Sequence, residues 1–171
     1  MKRSLINSDD LYPHPSTLDS HIYKSICNLK THGTIIVSSS YHKEITGSMA
    51  YSFIMNIDNL KDNVCFIEIP GAFELPFIIK LIIEKYKPLQ VLALGCIIKG
   101  DTKHDEYLSA SVINGIRNLS LEYKTPIING VLTTETLQQA IDRAGKKYDK
   151  GRDFASTTIS MQDIIKKINN E

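Results

Sequence analysis

The sequence predicts a doubly wound α/β fold, and two observations carry that expectation. Four short apolar runs show no inside–outside alternation, and each is followed by apolar residues at helical spacing. A run that is apolar throughout fits a strand buried on both faces, hence a parallel sheet. Parallel strands need crossovers, which are right-handed, and here each crossover reads as a helix.

The first run, GTIIVSSS, starts at Gly33, is rich in β-branched residues and stops at a polar turn. Ile45, Met49, Phe53 and Ile57 then recur every fourth residue, on one helix face. NVCFIEIPG is the second strand. It is followed by Leu75, Ile79, Ile82 and Tyr86, with Pro76 where only a first helical turn tolerates it. LQVLALGCII leads into Leu108, Val112, Ile116 and Leu119. PIINGVL precedes a Thr133-Thr134-Glu135 helix-start signal and a stripe of Leu137, Ile141 and Ala144. Phe154, Met161, Ile165 and Ile168 make the last stripe. The expected architecture is a three-layer α/β/α sandwich around a four-stranded parallel sheet, a single domain over residues 33–171.

Residues 1–32 lack this rhythm. They read as an N-terminal arm that stays mobile or pairs with something outside the core. An open four-stranded sheet has two exposed edges, one of which a neighbouring subunit is free to cover.

Composition narrows the function classes. With 20 Lys+Arg against 19 Asp+Glu, the formal net charge is +1, and no basic cluster interleaved with aromatics occurs, so nucleic acid is not an expected partner. Cys27, Cys65 and Cys96 are odd in number, far apart and without histidines at ligand spacing. That argues against a disulfide framework and a zinc site, and fits a reducing cytoplasm. The start, MKRSLINSDDLYPHP, lacks the apolar core of a signal peptide, and no stretch is apolar for long enough to span a bilayer.

Open parallel sheets bind ligands beyond the carboxyl ends of their strands. The unusual residues fall there: Ser40, Tyr41 and His42 after the first strand, PGAFE after the second, KGDTKH after the third, Asn129 and LTTE at the fourth. In GDTKH, Gly100 permits close backbone approach, and Asp101 and Thr102 open a helix whose free N–H groups and dipole attract anions. A phosphate fits, and so does a plain helix cap. His104 lies in the first turn, where the helix's positive end disfavours imidazolium and a bound phosphate favours it. It reads as a proton-transfer group or as an exposed capping histidine. Glu74, at a helix start, suits a polyol or a heterocycle edge, yet is electrostatically comfortable without either. Phe73 reads as a core residue or as part of the same ligand-facing segment. Tyr41 is a packing aromatic or a stacking surface for a planar ring. Arg143 sits late in its helix, where a cation is favourable in any case.

Taken together, PGAFELP, GCIIKGDTKHDEY, and NGVLTTETLQQAIDRAG followed by DKG closely resemble the lumazine synthase family from about Gly33 to the carboxyl end. The resemblance implies a flavodoxin-like fold. It also implies condensation of 5-amino-6-(D-ribitylamino)uracil with 3,4-dihydroxy-2-butanone 4-phosphate to 6,7-dimethyl-8-ribityllumazine, without metal or redox cofactor. By that resemblance Tyr41 stacks on the pyrimidine. Ala72, Phe73 and Glu74 hold the ribityl side, and Cys96, Ile97 and Ile98 hold the ring edge. Asp101 and Thr102 meet the phosphate with Arg143 as counter-charge, Lys150 is a further contact, and His104 moves protons. Asn129 and Arg143 serve a neighbouring subunit's pockets, in a pentamer or an icosahedral shell of pentamers. The arm adds a strand to the next subunit, and riboflavin synthase is an implied partner.

Departures from the family pattern are Lys99 where arginine is usual, Tyr41 where phenylalanine or tryptophan is usual, and Asn129 where phenylalanine is common. The GKKYDKG loop is one residue short. The alternatives to the enzyme are a flavodoxin-like flavin-binding domain, since SSSYHKEITG is rich in hydroxyls, and a phosphorylatable receiver, disfavoured by the serines that end the first strand.

Overall fold

The computed structural model describes residues 8–18, 33–57 and 64–169. Four strands, β1 (Thr34–Ser39), β2 (Val64–Ile69), β3 (Gln90–Ile98) and β4 (Ile127–Thr134), form one sheet in the order β2-β1-β3-β4, and every pairing is parallel. Between and after them run α1 (Lys43–Asn56), α2 (Leu75–Tyr86), α3 (His104–Tyr123), α4 (Leu137–Ala144) and α5 (Lys150–Asn169). Short 3₁₀ turns occupy Ser8–Asp10, Pro15–Thr17 and Ala72–Glu74.

The sheet separates two apolar cores. On one side Ile36, Leu92, Leu94 and Leu132 pack under α1, α4 and α5; on the other Ile35, Val37, Val91, Ala93 and Val131 pack under α2 and α3. Consecutive residues of β1 and β3 feed opposite cores, which is why these central strands show no alternation of polarity. The α/β/α sandwich expected from the sequence is therefore present. Each fully buried aliphatic side chain contributes roughly 1.5–3 kcal/mol, and the predicted α1 stripe of Ile45, Met49, Phe53 and Ile57 is wholly buried. Leu75, Ile79, Ile82, Val112, Ile116, Leu119, Ile141 and Ala144 are buried as expected. Pro76 sits in the first turn of α2, where its missing N–H costs no helical hydrogen bond.

Three details differ from the sequence reading. First, Thr133 and Thr134 still belong to β4, and α4 is capped by Thr136, whose Oγ1 accepts from the Gln139 N–H at 3.2 Å. The β-branched pair extends the strand because both residues remain in register with β3.

Second, α5 does not bury its isoleucines. Phe154 and Met161 of the expected stripe pack half-buried against the α1/α4/α5 core, but the fully buried positions are Gly151, Ala155, Thr158 and Gln162, and Ile168 is 72% exposed. A Cβ on Gly151 would come within 2.4 Å of the Met49 carbonyl oxygen in the middle of α1, so small residues set the closeness of this crossing. The last turn of α5, residues 166–169, is exposed.

Third, Ser8–Leu18 folds back on its own chain. Leu11 joins the α1/α4/α5 core and Pro15 is buried, and the Tyr12 N–H donates to Ser48 Oγ at 3.0 Å. Burial of these two apolar side chains fixes a stretch expected to turn away from the core. The rest of the expected arm, including Cys27 and any strand added to a neighbour, lies outside the described residues. Among the described residues no helix is long and apolar enough to cross a membrane.

The α1/α5 crossing gives a direct check. Gly151→Ala places its Cβ against backbone rather than a yielding side chain, and should lower unfolding free energy by about 1–3 kcal/mol. Urea denaturation would measure this, and an unchanged midpoint would contradict the close crossing.

Candidate active site

Pairing between β1 and β3 ends at Ser38↔Leu94, whereas β3 stays in register with β4 through Ile98↔Thr134. Gly95–Ile98 is thus laddered on one side. Val91 and Lys99 both donate their N–H toward the β4 side, to Pro126 and Thr134 carbonyls at 2.9 and 2.8 Å. Because peptide groups alternate direction along a strand, those of Cys96 and Ile98 face the β1 side, into the crevice. The sheet order changes direction here, at the topological switch point of the flavodoxin-like order.

The β3 side chains contribute little to this crevice. Cys96 and Ile97 are buried in opposite cores and Ile98 is half-buried. Burial pushes the Cys96 thiol up to about 12, so it stays protonated and is not a nucleophile. Whatever Cys96 offers a ligand comes from its backbone.

On the other wall, Tyr41 is 69% exposed and Phe73 is 63% exposed. Phe73 is therefore not core, and Tyr41 does not pack inside. Tyr41 stands edge-on to His42, with ring centroids 4.7 Å apart. His42 holds the left-handed backbone conformation, φ 61°, that starts α1. Two hydrogen bonds tie this loop to the one after β2: the Ser40 N–H to the Ile69 carbonyl at 2.7 Å, and Ser40 Oγ to the Pro70 carbonyl at 3.3 Å. Ser39 Oγ accepts from the Tyr41 N–H at 3.2 Å, and Thr46 Oγ1 donates to the Ser39 carbonyl at 2.8 Å. The hydroxyl-rich loop serves the fold. Ala72 is buried, while Glu74 is half-buried and its carboxylate lies back over Gly71, where a Cβ would meet Oε2 at 2.8 Å.

Gly100, Asp101, Thr102 and His104 are all exposed at the end of β3. His104 is the first residue of α3, and its N–H donates to Thr102 Oγ1 at 3.3 Å. The Gly100 N–H donates to Asp105 Oδ1 at 3.3 Å, and a Cβ on Gly100 would meet nothing within 4 Å. The N-cap position falls on Lys103, whose side chain makes no capping bond, so the opening turn of α3 faces open space.

The electrostatics differ from a simple anion cradle. Lys99 is held by Glu135 at 2.8 Å, and the hydrogen bond to that carboxylate keeps its amine charged above the ordinary lysine value. Asp101, Asp105 and Glu106 add negative charge nearby. The helix dipole and Lys103 are opposed by these carboxylates, and a phosphate here needs further positive charge. The sequence reading missed the Lys99–Glu135 pair, because the adjacency and register of β3 and β4, which bring the two residues together just past the strand ends, are set by the tertiary structure.

The single chain gathers Tyr41, Ala72, Phe73, Glu74, Cys96, Ile97, Ile98, Asp101, Thr102 and His104 at one end of the sheet. It does not bring Asn129, Arg143 or Lys150 there. Asn129 pairs in register with Ala93, about 16 Å of strand below Ile98, and lines a groove with Ile113, Ile116 and Arg117 of α3. Arg143 is about 10 Å along α4 from its cap, with Nη1 donating to the Gln139 carbonyl at 3.1 Å. Lys150 pairs with Asp153 at 2.8 Å.

Fold and site together define a flavodoxin-like α/β protein that presents a small-molecule crevice at the carboxyl edge of β1 and β3. A profile of the 6,7-dimethyl-8-ribityllumazine synthase family matches residues 32–166, and the chain belongs to that family. It is similar to two proteins bearing that name. One, from Campylobacter jejuni subsp. doylei, is 43% identical over 109 residues, 63% of this chain and 71% of the relative. The other, from Chloroherpeton thalassium, is 39% identical over 137 residues, 78% of this chain and 88% of the relative. A likeness to the solved structure of a GDP-L-fucose synthetase from Naegleria fowleri covers 81% of this chain and 45% of that one. At 13% identity and a TM-score of 0.39, it is too loose to carry an argument.

His42 links this site to pH. Burial holds its imidazole below the ordinary histidine value, with Glu44 partly opposing. The unfolded chain then binds the proton more readily, so stability is complete above the ordinary value and is lost as pH falls through the lowered one. His42→Asn keeps a residue tolerant of the left-handed conformation. It should flatten the fall in denaturation midpoint on acidification from neutral pH, and an unaltered pH profile would exclude His42 as its source.

Proposed function

We propose that this chain condenses 5-amino-6-(D-ribitylamino)uracil with 3,4-dihydroxy-2-butanone 4-phosphate to 6,7-dimethyl-8-ribityllumazine, releasing phosphate and water, in riboflavin biosynthesis. The observation that carries this reading is the family match over residues 32–166, which spans every loop of the crevice. The uracil edge meets the outward peptide groups of Cys96 and Ile98, with Tyr41 against its face. Ala72, Phe73 and Glu74 receive the ribityl chain, Glu74 as hydrogen-bond acceptor.

The butanone phosphate lies at the opening turn of α3, against Asp101 and Thr102, with the charge deficit made up by Arg143 and Lys150. Since neither cation reaches its own crevice, each serves the crevice of an adjacent copy, as does Asn129. The chain acts in a closed homo-oligomer, a pentamer or a shell of pentamers, and isolated monomers are poor catalysts. Riboflavin synthase, which consumes the product, is a further partner, in the cytoplasm.

Amine attack on the carbonyl, departure of phosphate and ring closure each require a proton to move. His104, exposed in the first turn of α3 beside the leaving anion, is placed to give and take it. The residues do this without a metal. A flavin-binding domain without activity is not favoured, because Ser39 and Ser40 are already engaged within the fold.

Mixing the purified chain with both substrates and following lumazine fluorescence tests the reading, and a rate no faster than the spontaneous reaction would reject it. His104→Ala should lower kcat about a hundredfold, the lower range for loss of a positioned proton-transfer group. Arg143→Ala should raise the KM of the phosphate substrate about tenfold, leaving that of the pyrimidine unchanged. Equal KM values for variant and parent would remove Arg143 from the phosphate site.

A further inference from the structure

We infer that Tyr12 is a positioning residue for the phosphate substrate: the Ser8–Leu18 segment clamps the turn that joins Arg143 to Lys150. The inference rests on the reading of those two cations as phosphate contacts.

The clamp is made of several independent contacts. The Asp10 carbonyl accepts from the Lys146 N–H at 3.0 Å, and the Asp9 carbonyl accepts from Lys146 Nζ at 2.8 Å. A Cβ on Gly145 would lie 2.0 Å from the Asp10 oxygen, so only glycine lets the segment approach this closely. The Tyr12 hydroxyl then donates to Asp149 Oδ2 at 3.0 Å, while its N–H reaches Ser48 Oγ, which in turn donates to the Ala144 carbonyl at 2.8 Å. Both ends of the Gly145–Asp149 turn are held from the same strap.

Asp149 is the point on which the turn depends. It is buried, 6% exposed, and adopts φ 46°, a conformation that a non-glycine residue keeps only when its surroundings fix it. Its carboxylate accepts from the Tyr12 hydroxyl, from Ser52 Oγ at 2.5 Å and from the Arg152 N–H at 3.2 Å, the last capping α5. The direction in which α5 leaves the turn sets where Lys150, its first residue, stands relative to Arg143 in the last turn of α4. Without the Tyr12 donor a buried carboxylate oxygen loses one of its partners and the turn relaxes. Two cations that must meet one phosphate then lose their mutual geometry, and a displacement of about 1 Å is enough to weaken binding.

Tyr12→Phe tests this in the full chain. It removes the hydroxyl and keeps the ring that stacks on Tyr51 at 6.0 Å. Steady-state rates against each substrate, and calorimetric titration with inorganic phosphate, should show the phosphate-substrate KM and the phosphate dissociation constant raised about three- to tenfold. The pyrimidine KM should stay as in the parent. Unchanged phosphate binding and KM in Tyr12→Phe, with Arg143→Ala still raising both, would overturn the clamp while leaving the phosphate site standing. A rise in both substrates' KM, or a lowered melting temperature with neither KM altered, would reduce Tyr12 to a structural contact and equally overturn it. If Arg143→Ala alters neither quantity, the reading of the site fails and the inference with it.

Discussion

Ile98 lies four positions beyond the last β3 residue that β1 pairs with, and the rest of the site depends on that mismatch in strand length. Had β1 continued, its backbone would saturate the outward peptide groups of Cys96 and Ile98. Because it turns away at Ser40, pulled toward β2 by two hydrogen bonds, the edge of β3 is left open. The same turn swings Tyr41 outward, and the turn after β2 does likewise for Phe73. Two exposed aromatics beside an open strand edge are features that the fold alone does not call for.

Charge is arranged on a different principle. At the opening of α3 the helix dipole invites an anion, yet Lys99 is paired with Glu135 and three carboxylates stand close by. The helix dipole at this turn is therefore opposed, and Arg143 and Lys150 stand elsewhere, on α4 and α5. His104 is exposed to solvent in the first turn of α3.

On the α1/α4/α5 side, small residues and buried polar bonds supplement the apolar core. Gly151 lets α5 settle onto α1, and Gly145 lets the amino-terminal segment settle onto the α4–α5 turn. Asp149 gathers hydrogen bonds from three different parts of the chain, which makes that turn a junction between the strap, α1 and α5.

Local pattern carried most of the architecture in the sequence itself. The four strands, the α1 to α4 stripes and the loops that bear the site were legible because burial on both sheet faces writes uniform apolar runs, and a single covered helix face writes a period near four. Gly100 to His104 drew notice because they follow a strand end, whereas Ala72, Phe73 and Cys96 to Ile98, the last three within β3, came as site residues only from the resemblance of their motifs to a family. Tertiary structure alone decided the rest. Thr133 and Thr134 became strand because β3 offered them partners, and α5 turned its glycine and alanine inward because α1 approached closely. Leu11 and Pro15 drew an irregular segment onto the core. Whether Lys99 was free or paired, and whether Phe73 faced core or crevice, depended on residues remote in sequence, and no periodicity within a window records contacts of that kind.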